Sequence, residues 1–221
     1  MTASIVLWMF ACGTPVDFVP EIPTSVPMNL APDIPAEGDD AHPVGPLSLE
    51  CGQDELPDGL DFDFCHGKAN LEAPMLDVLD GVLEPRVAAD FRNSTFSNIQ
   101  EDPDPSATWS LQMTHTARSN LADIVYEVLW LCDPVVGTAE EPAVILCTYG
   151  MLKGQTLFPY FEGSIALIDV DGEAGDKVAW QYIEHLRAPL SGTDTITQTI
   201  TDVYADLGAF LADEPYEDYE K

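Results

Sequence analysis

Eight prolines between Thr14 and Ser48 (Pro15, Pro20, Pro23, Pro27, Pro32, Pro35, Pro43 and Pro46) take a 35-residue stretch of this chain out of regular secondary structure. Each proline lacks a backbone N–H and fixes φ, and at this spacing neither a helix nor an interior strand persists. Residues 12–48 therefore read as a semi-rigid linker. At polyproline geometry its 35 residues from Thr14 span at most about 100 Å, enough to hold a domain well away from a bilayer. Residues 49–213 follow, then an acidic tail at 214–221. That length is ample for one hydrophobic core and thin for two, so one domain is expected.

Ahead of the linker, Ile5 to Ala11 is an apolar run of the length of a signal-peptide core, far short of the roughly 20 residues that a membrane span needs. Residues 1–11 are read as a signal peptide. Met9-Phe10-Ala11-Cys12-Gly13 resembles the lipobox of bacterial lipoproteins, in which a small residue precedes a cysteine that is lipidated and becomes the mature N-terminus. The resemblance implies lipidation at Cys12 and an exported protein anchored in the cell envelope, in the outer membrane, facing the periplasm or the surface. Ordinary cleaved secretion and a buried N-terminal strand with a structural cysteine are the alternatives.

With Cys12 assigned to the lipid, four of the five cysteines remain, as two close pairs: Cys51 with Cys65, and Cys132 with Cys147. An even remainder in an oxidising compartment implies disulfides, and of the three possible pairings the local one is preferred. A metal site from Cys51, Cys65 and His66 lacks the Cys-x-x-Cys knuckle of zinc sites, so no metal is expected.

Thirty-nine acids against eight bases give a net charge of −31. Such a surface disfavours nucleic acid and anionic membrane surfaces as electrostatic partners, and suits a solvated protein at high salt. Attraction to a cationic partner or to divalent ions is the alternative.

The pattern of the folded part predicts an α+β domain with an antiparallel sheet backed by helices. Residues 51–68 read as a disulfide-closed loop with a short strand at Leu60, Phe62 and Phe64. Between Pro74 and Phe91, Leu76, Leu79, Val82, Leu83, Val87 and Phe91 approximate helical spacing, interrupted by Gly81 and Pro85, and Pro85 either bends one helix or starts a second. Residues 100–107 form a loop. The run from Leu121 to Leu131 fits a helix stripe or a buried strand, and β-branched and aromatic enrichment favours a strand over Asp123–Cys132, ended by Asp133-Pro134. Ala143–Met151, Phe158–Val170 and Lys177–Leu186 are further strands, the last two joined by the turn 171–176. A capping run at Ser191–Asp194 opens a final helix, whose Ile196, Ile200, Val203, Leu207, Phe210 and Leu211 lie on one stripe with Asp202 and Asp206 opposite.

The succession Ala122-Asp123-Ile124-Val125, Leu167-Ile168-Asp169, a Gly172 turn, Lys177-Val178-Ala179-Trp180 and an amphipathic helix resembles small α/β lipoproteins of the Gram-negative envelope. The peptidoglycan-synthase activator and curli-secretion lipoproteins are examples. The resemblance covers roughly residues 120–213. It implies a strand near Phe91-Arg92-Asn93 followed by a helix before Ala122. It also implies a protein-binding or assembly role, an envelope protein partner, and no catalytic residues.

No catalytic signature stands out from the residues themselves. His42, His66, His115 and His185 are scattered, no Gly-x-Ser-x-Gly elbow or phosphate-binding glycine loop occurs, and carboxylates are too numerous for any pair to be diagnostic. Asp169, Asp171, Gly172 and Asp176 invite a calcium loop, but its register puts Leu167 and Val178 at ligand positions, which leaves a hairpin turn. Trp109, Trp130, Trp180, Tyr149, Tyr160 and Tyr182 supply either a binding face or core packing. The expected function is a non-catalytic envelope lipoprotein acting by protein contact or as a structural part, with no cofactor. A secreted enzyme with a carboxylate-based site and an acidic divalent-cation binder are the alternatives.

Overall fold

The computed structural model describes residues 16–17, 45–55, 61–89, 94–117, 123–154, 160–170, 177–187 and 192–216. Cys12, the signal peptide, most of the linker, the 171–176 turn and the end of the acidic tail lie outside them. Among the described residues nine strands form one antiparallel sheet: β1 (Val16–Asp17), β2 (Ser48–Glu55), β3 (Asp61–Leu71), β4 (Ser94–Glu101), β5 (Trp109–Ala117), β6 (Ile124–Gly137), β7 (Pro142–Gly154), β8 (Tyr160–Asp169) and β9 (Val178–Arg187). Three helices, α1 (Met75–Leu83), α2 (Pro85–Ala88) and α3 (Thr193–Leu211), complete the expected α+β domain. Strand order is β2-β3-β9-β8-β7-β6-β5-β4, with β1 added to β7. The chain therefore lays down one edge hairpin, crosses by α1 and α2 to the opposite edge, meanders back, and closes β9 against β3.

Residues 51–68 are not a loop with a short strand. They belong to a long hairpin in which Ser48–Glu55 pairs with Asp61–Lys68. The alternation of β3 decides it, since Asp63, Cys65, Gly67, Ala69 and Leu71 are buried while the residues between them are less so. Each buried residue faces the helices, as the two-residue period of a strand requires. In the same way β6 buries Tyr126, Val128, Trp130 and Cys132, which settles the fork at 121–131 in favour of a strand. Pro134 does not end that strand. A register shift between Pro134 and Val136 places the proline at a bulge, where no ladder N–H is demanded of it, and pairing runs on to Gly137. Where the resemblance implies a helix before Ala122, the chain forms β4 and β5.

Both disulfides join residues directly opposite each other on neighbouring strands. Cys51–Cys65 ties β2 to β3 and Cys132–Cys147 ties β6 to β7, each with a Cα–Cα separation of 4.0 Å. The local pairing is thus the observed one, and it is the state of cysteines in an oxidising, exported environment.

α3 lies across β2, β3 and β9. Ile196, Ile200, Val203 and Leu207 are buried there, and the side chains of Ile200 and Trp180 both close on Gly67. The helix starts at Gly192 without a side-chain cap, leaving Asp194 in its first turn to meet the positive end of the helix dipole. Asp202 and Asp206, expected on the solvent side, are buried. α1 and α2 pack on α3 as well, so the helix is covered from two directions. At that crossing Gly81 lies so close to Leu207 and Phe210 that a Cβ would stand 2.8 Å from the Phe210 ring.

Described residues of the linker meet the domain ahead of β2. Val16 and Asp17 pair with Gly154 and Lys153 of β7. Gly45 donates its N–H to the Asn70 carbonyl at 2.8 Å and accepts a hydrogen bond from the Tyr204 hydroxyl.

Candidate interior site

The registers place one row of inward-facing residues across the sheet, from Leu111 through Trp130, Tyr149, Gly163 and Glu184 to the Cys65–Cys51 bond. At its centre stands Glu184, 1% exposed. The Tyr182 hydroxyl donates to its Oε2 at 3.1 Å and the Tyr149 hydroxyl approaches the same oxygen at 3.2 Å, the two phenols being 3.0 Å apart. A buried carboxylate loses several kcal/mol of hydration, and hydrogen bonds to a charged group, each about 1.5–3 kcal/mol, offset part of that. Burial, followed by the Glu184 charge, pushes the Tyr149 phenol well above its ordinary range, so it remains a donor.

Gly163 makes this cluster possible. Tyr149 and Glu184 are two strands apart, about 9.6 Å between backbones, and the Tyr149 side chain crosses the intervening strand directly over Gly163. A Cβ there would collide with the Tyr149 hydroxyl and the Ile183 carbonyl.

Around the cluster the interior is aromatic. Trp130 stacks on Tyr149 at 4.1 Å; Tyr149 touches Phe161 at 5.4 Å and Tyr182 at 5.9 Å; Tyr182 touches Trp180 at 5.3 Å. Beyond Phe161 the chain of rings continues through Tyr126 to His115, stacked at 4.9 Å. His115 is 3% exposed and faces inward from β5, and neither of its ring nitrogens has a hydrogen-bond partner among the described residues. The same is true of Trp130 Nε1 and Trp180 Nε1. Burial lowers the His115 pKa to about 3, so the imidazole is neutral. An unpaired buried donor or acceptor costs about 1–3 kcal/mol.

A second cluster occupies the opposite face of the sheet, where His66 and His185, distant in sequence, are brought together by β3–β9 pairing. His185 Nδ1 lies 3.5 Å from Glu162 and its ring 5.0 Å from Phe62, while burial and then the neighbouring His185 lower the His66 pKa. Sequence reasoning treated these histidines as scattered, because only the closure of the sheet joins them.

Of the residues singled out from sequence, Cys12, His42, Asp171 and Asp176 lie outside the described residues. The aromatic set divides: Trp130, Trp180, Tyr149 and Tyr182 are interior, and Trp109 is half-buried. Glu184 and Gly163 carried no signal of their own; the alternation of Trp180, Tyr182 and Glu184 along one strand face was the available clue. Among the described residues no group of three His, Cys, Asp or Glu side chains is placed to hold a metal ion, and no helix is long and apolar enough to cross a membrane.

No family model and no curated protein matches the chain. Among solved structures it is similar to the human StarD13 lipid transfer and protein localization domain, at 11% identity and a TM-score of 0.53 over 74% of this chain and 84% of that one. It is also similar to a STAR-related lipid transfer protein from Xanthomonas axonopodis, at 12% identity and a TM-score of 0.51 over 76% and 98%. These are not the envelope lipoproteins that the C-terminal succession resembles. At such identities what is shared is architecture, and the chain has the fold of these two domains: an antiparallel sheet packed against a C-terminal helix.

Proposed function

We propose that this protein is an exported, non-catalytic binding protein that holds an apolar molecule between the inward face of its sheet and its helices. The observation that carries this reading is the inward face of the sheet, a run of touching rings on which His115, Trp130 and Trp180 hold buried nitrogens with no partner among the described residues. A purely structural core has no use for such groups, whereas a ligand oxygen satisfies them. Both similar structures are named for lipid transfer, which agrees with an apolar cargo. The two disulfides suit work outside the cytoplasm, and a lipid on Cys12 would keep the domain at the envelope, where a partner protein exchanges the cargo.

Glu184 does not favour the carboxylate-enzyme alternative, because its Oε2 is occupied by two phenols. Extraction of the purified protein with organic solvent, together with tryptophan fluorescence during titration with a series of long-chain hydrocarbons, alcohols and acids, tests the binding reading. Co-purifying or titrated ligand at about one per chain is expected. Fluorescence unmoved by every member of the series, with nothing extracted, would refute it.

A further inference from the structure

Resting on the binding reading above, we infer that the cargo is an uncharged molecule with a hydrocarbon body and a hydroxyl group, and that His115 is the side chain that receives the hydroxyl. A neutral imidazole has one donor and one acceptor whichever tautomer is present. A hydroxyl likewise gives and accepts, so it pairs with either of the two open nitrogens, whichever carries the proton. The ring is already fixed in place by its stack on Tyr126, which leaves its edge, not its face, for recognition.

The charge pattern of the interior selects against ions. The buried polar residues among those described are acids, histidines, a glutamine and a serine; none is lysine or arginine. A carboxylate or phosphate head would enter a low-dielectric space with no buried lysine or arginine among the described residues as a counter-charge. An ammonium head would leave His115 without the acceptor that its N–H demands. Trp130 Nε1 and Trp180 Nε1, the other open donors on this face among the described residues, add places for an oxygen and none for a cation.

The test uses the full chain and three probes of equal length, 1-dodecanol, dodecane and dodecanoate, at neutral pH, read by tryptophan fluorescence and calorimetry. Dodecanol is expected to bind most tightly. The change His115→Phe keeps a ring against Tyr126 and is expected to weaken dodecanol about tenfold, the value of one hydrogen bond, with dodecane unaffected. Dodecanoate binding as tightly as the alcohol overturns the selection for neutral cargo. Unchanged dodecanol affinity in His115→Phe overturns the role of His115. Should that variant fail to fold, the ring-nitrogen chemical shifts of His115 in the wild-type chain decide: they move on addition of dodecanol, and stationary shifts overturn the assignment. If the three probes bind but with equal affinity, the inference fails while the binding reading stands; if none binds, both fail.

Discussion

Two single residues control the interior more than their size indicates. Gly163 gives Tyr149 its passage to Glu184, so Gly163→Ala forces the phenol aside and crowds the Ile183 carbonyl. The expected loss is about 1–3 kcal/mol of overpacking together with a hydrogen bond to a buried carboxylate, measured by urea denaturation. His115 makes a pH prediction. Its folded pKa, about 3, is depressed below the unfolded value of 6.5. Below pH 6.5 the unfolded chain binds a proton that the folded chain refuses, so the stability held above pH 6.5 is lost as the pH falls toward 3. One such group contributes a slope of about 1.4 kcal/mol per pH unit within that window. Denaturation midpoints measured from pH 7 to pH 4 should fall less steeply in His115→Phe than in the wild type; parallel curves would refute this.

At the scale of elements, the disulfides are placed where they hold strand register. Each closes a short span, with sequence separations of 14 and 15 residues, and each should contribute about 3 kcal/mol in the chain-entropy picture. The paired replacement Cys132→Ala with Cys147→Ala, compared by urea denaturation with reduced and oxidised wild type, measures it. At the α1–α3 crossing, Gly81→Leu should separate the helices and destabilise the fold by about 1–3 kcal/mol, read as a lowered thermal midpoint. Elements with a strong period were legible from sequence: β6 to β9 and α3 carry long apolar runs or a clear stripe. β2 and β3 were not, because Gly67, Lys68 and Asn70 interrupt an alternation that only burial reveals. β4 and β5 escaped for a related reason, since Ser97, Asn98, Gln100, Thr114 and Thr116 dilute their apolar positions. The site was least legible of all, because its members come from β5 to β9 and meet only through register.

Over the whole molecule the dominant quantity is the charge of −31. Like charges on a compact body repel, and salt screens them over a Debye length that shrinks from about 30 Å at 0.01 M to about 3 Å at 1 M. The thermal midpoint should therefore rise with sodium chloride across that range, and a falling midpoint would show that paired charges dominate instead. The proposed anchor is tested separately: incorporation of a fatty-acid analogue should be lost in Cys12→Ala, and label retained by that variant would rule Cys12 out.

The two-residue strand β1 changes what such an anchor would do. With Val16 held on β7, the free length between Cys12 and the sheet is four residues, about 14 Å when fully extended, against the roughly 100 Å of the unfastened linker. A lipidated chain of this geometry is moored rather than tethered. Were Cys12 lipidated, the Lys153–Gly154 end of the sheet would stand within that length of the bilayer surface rather than at the end of a long tether.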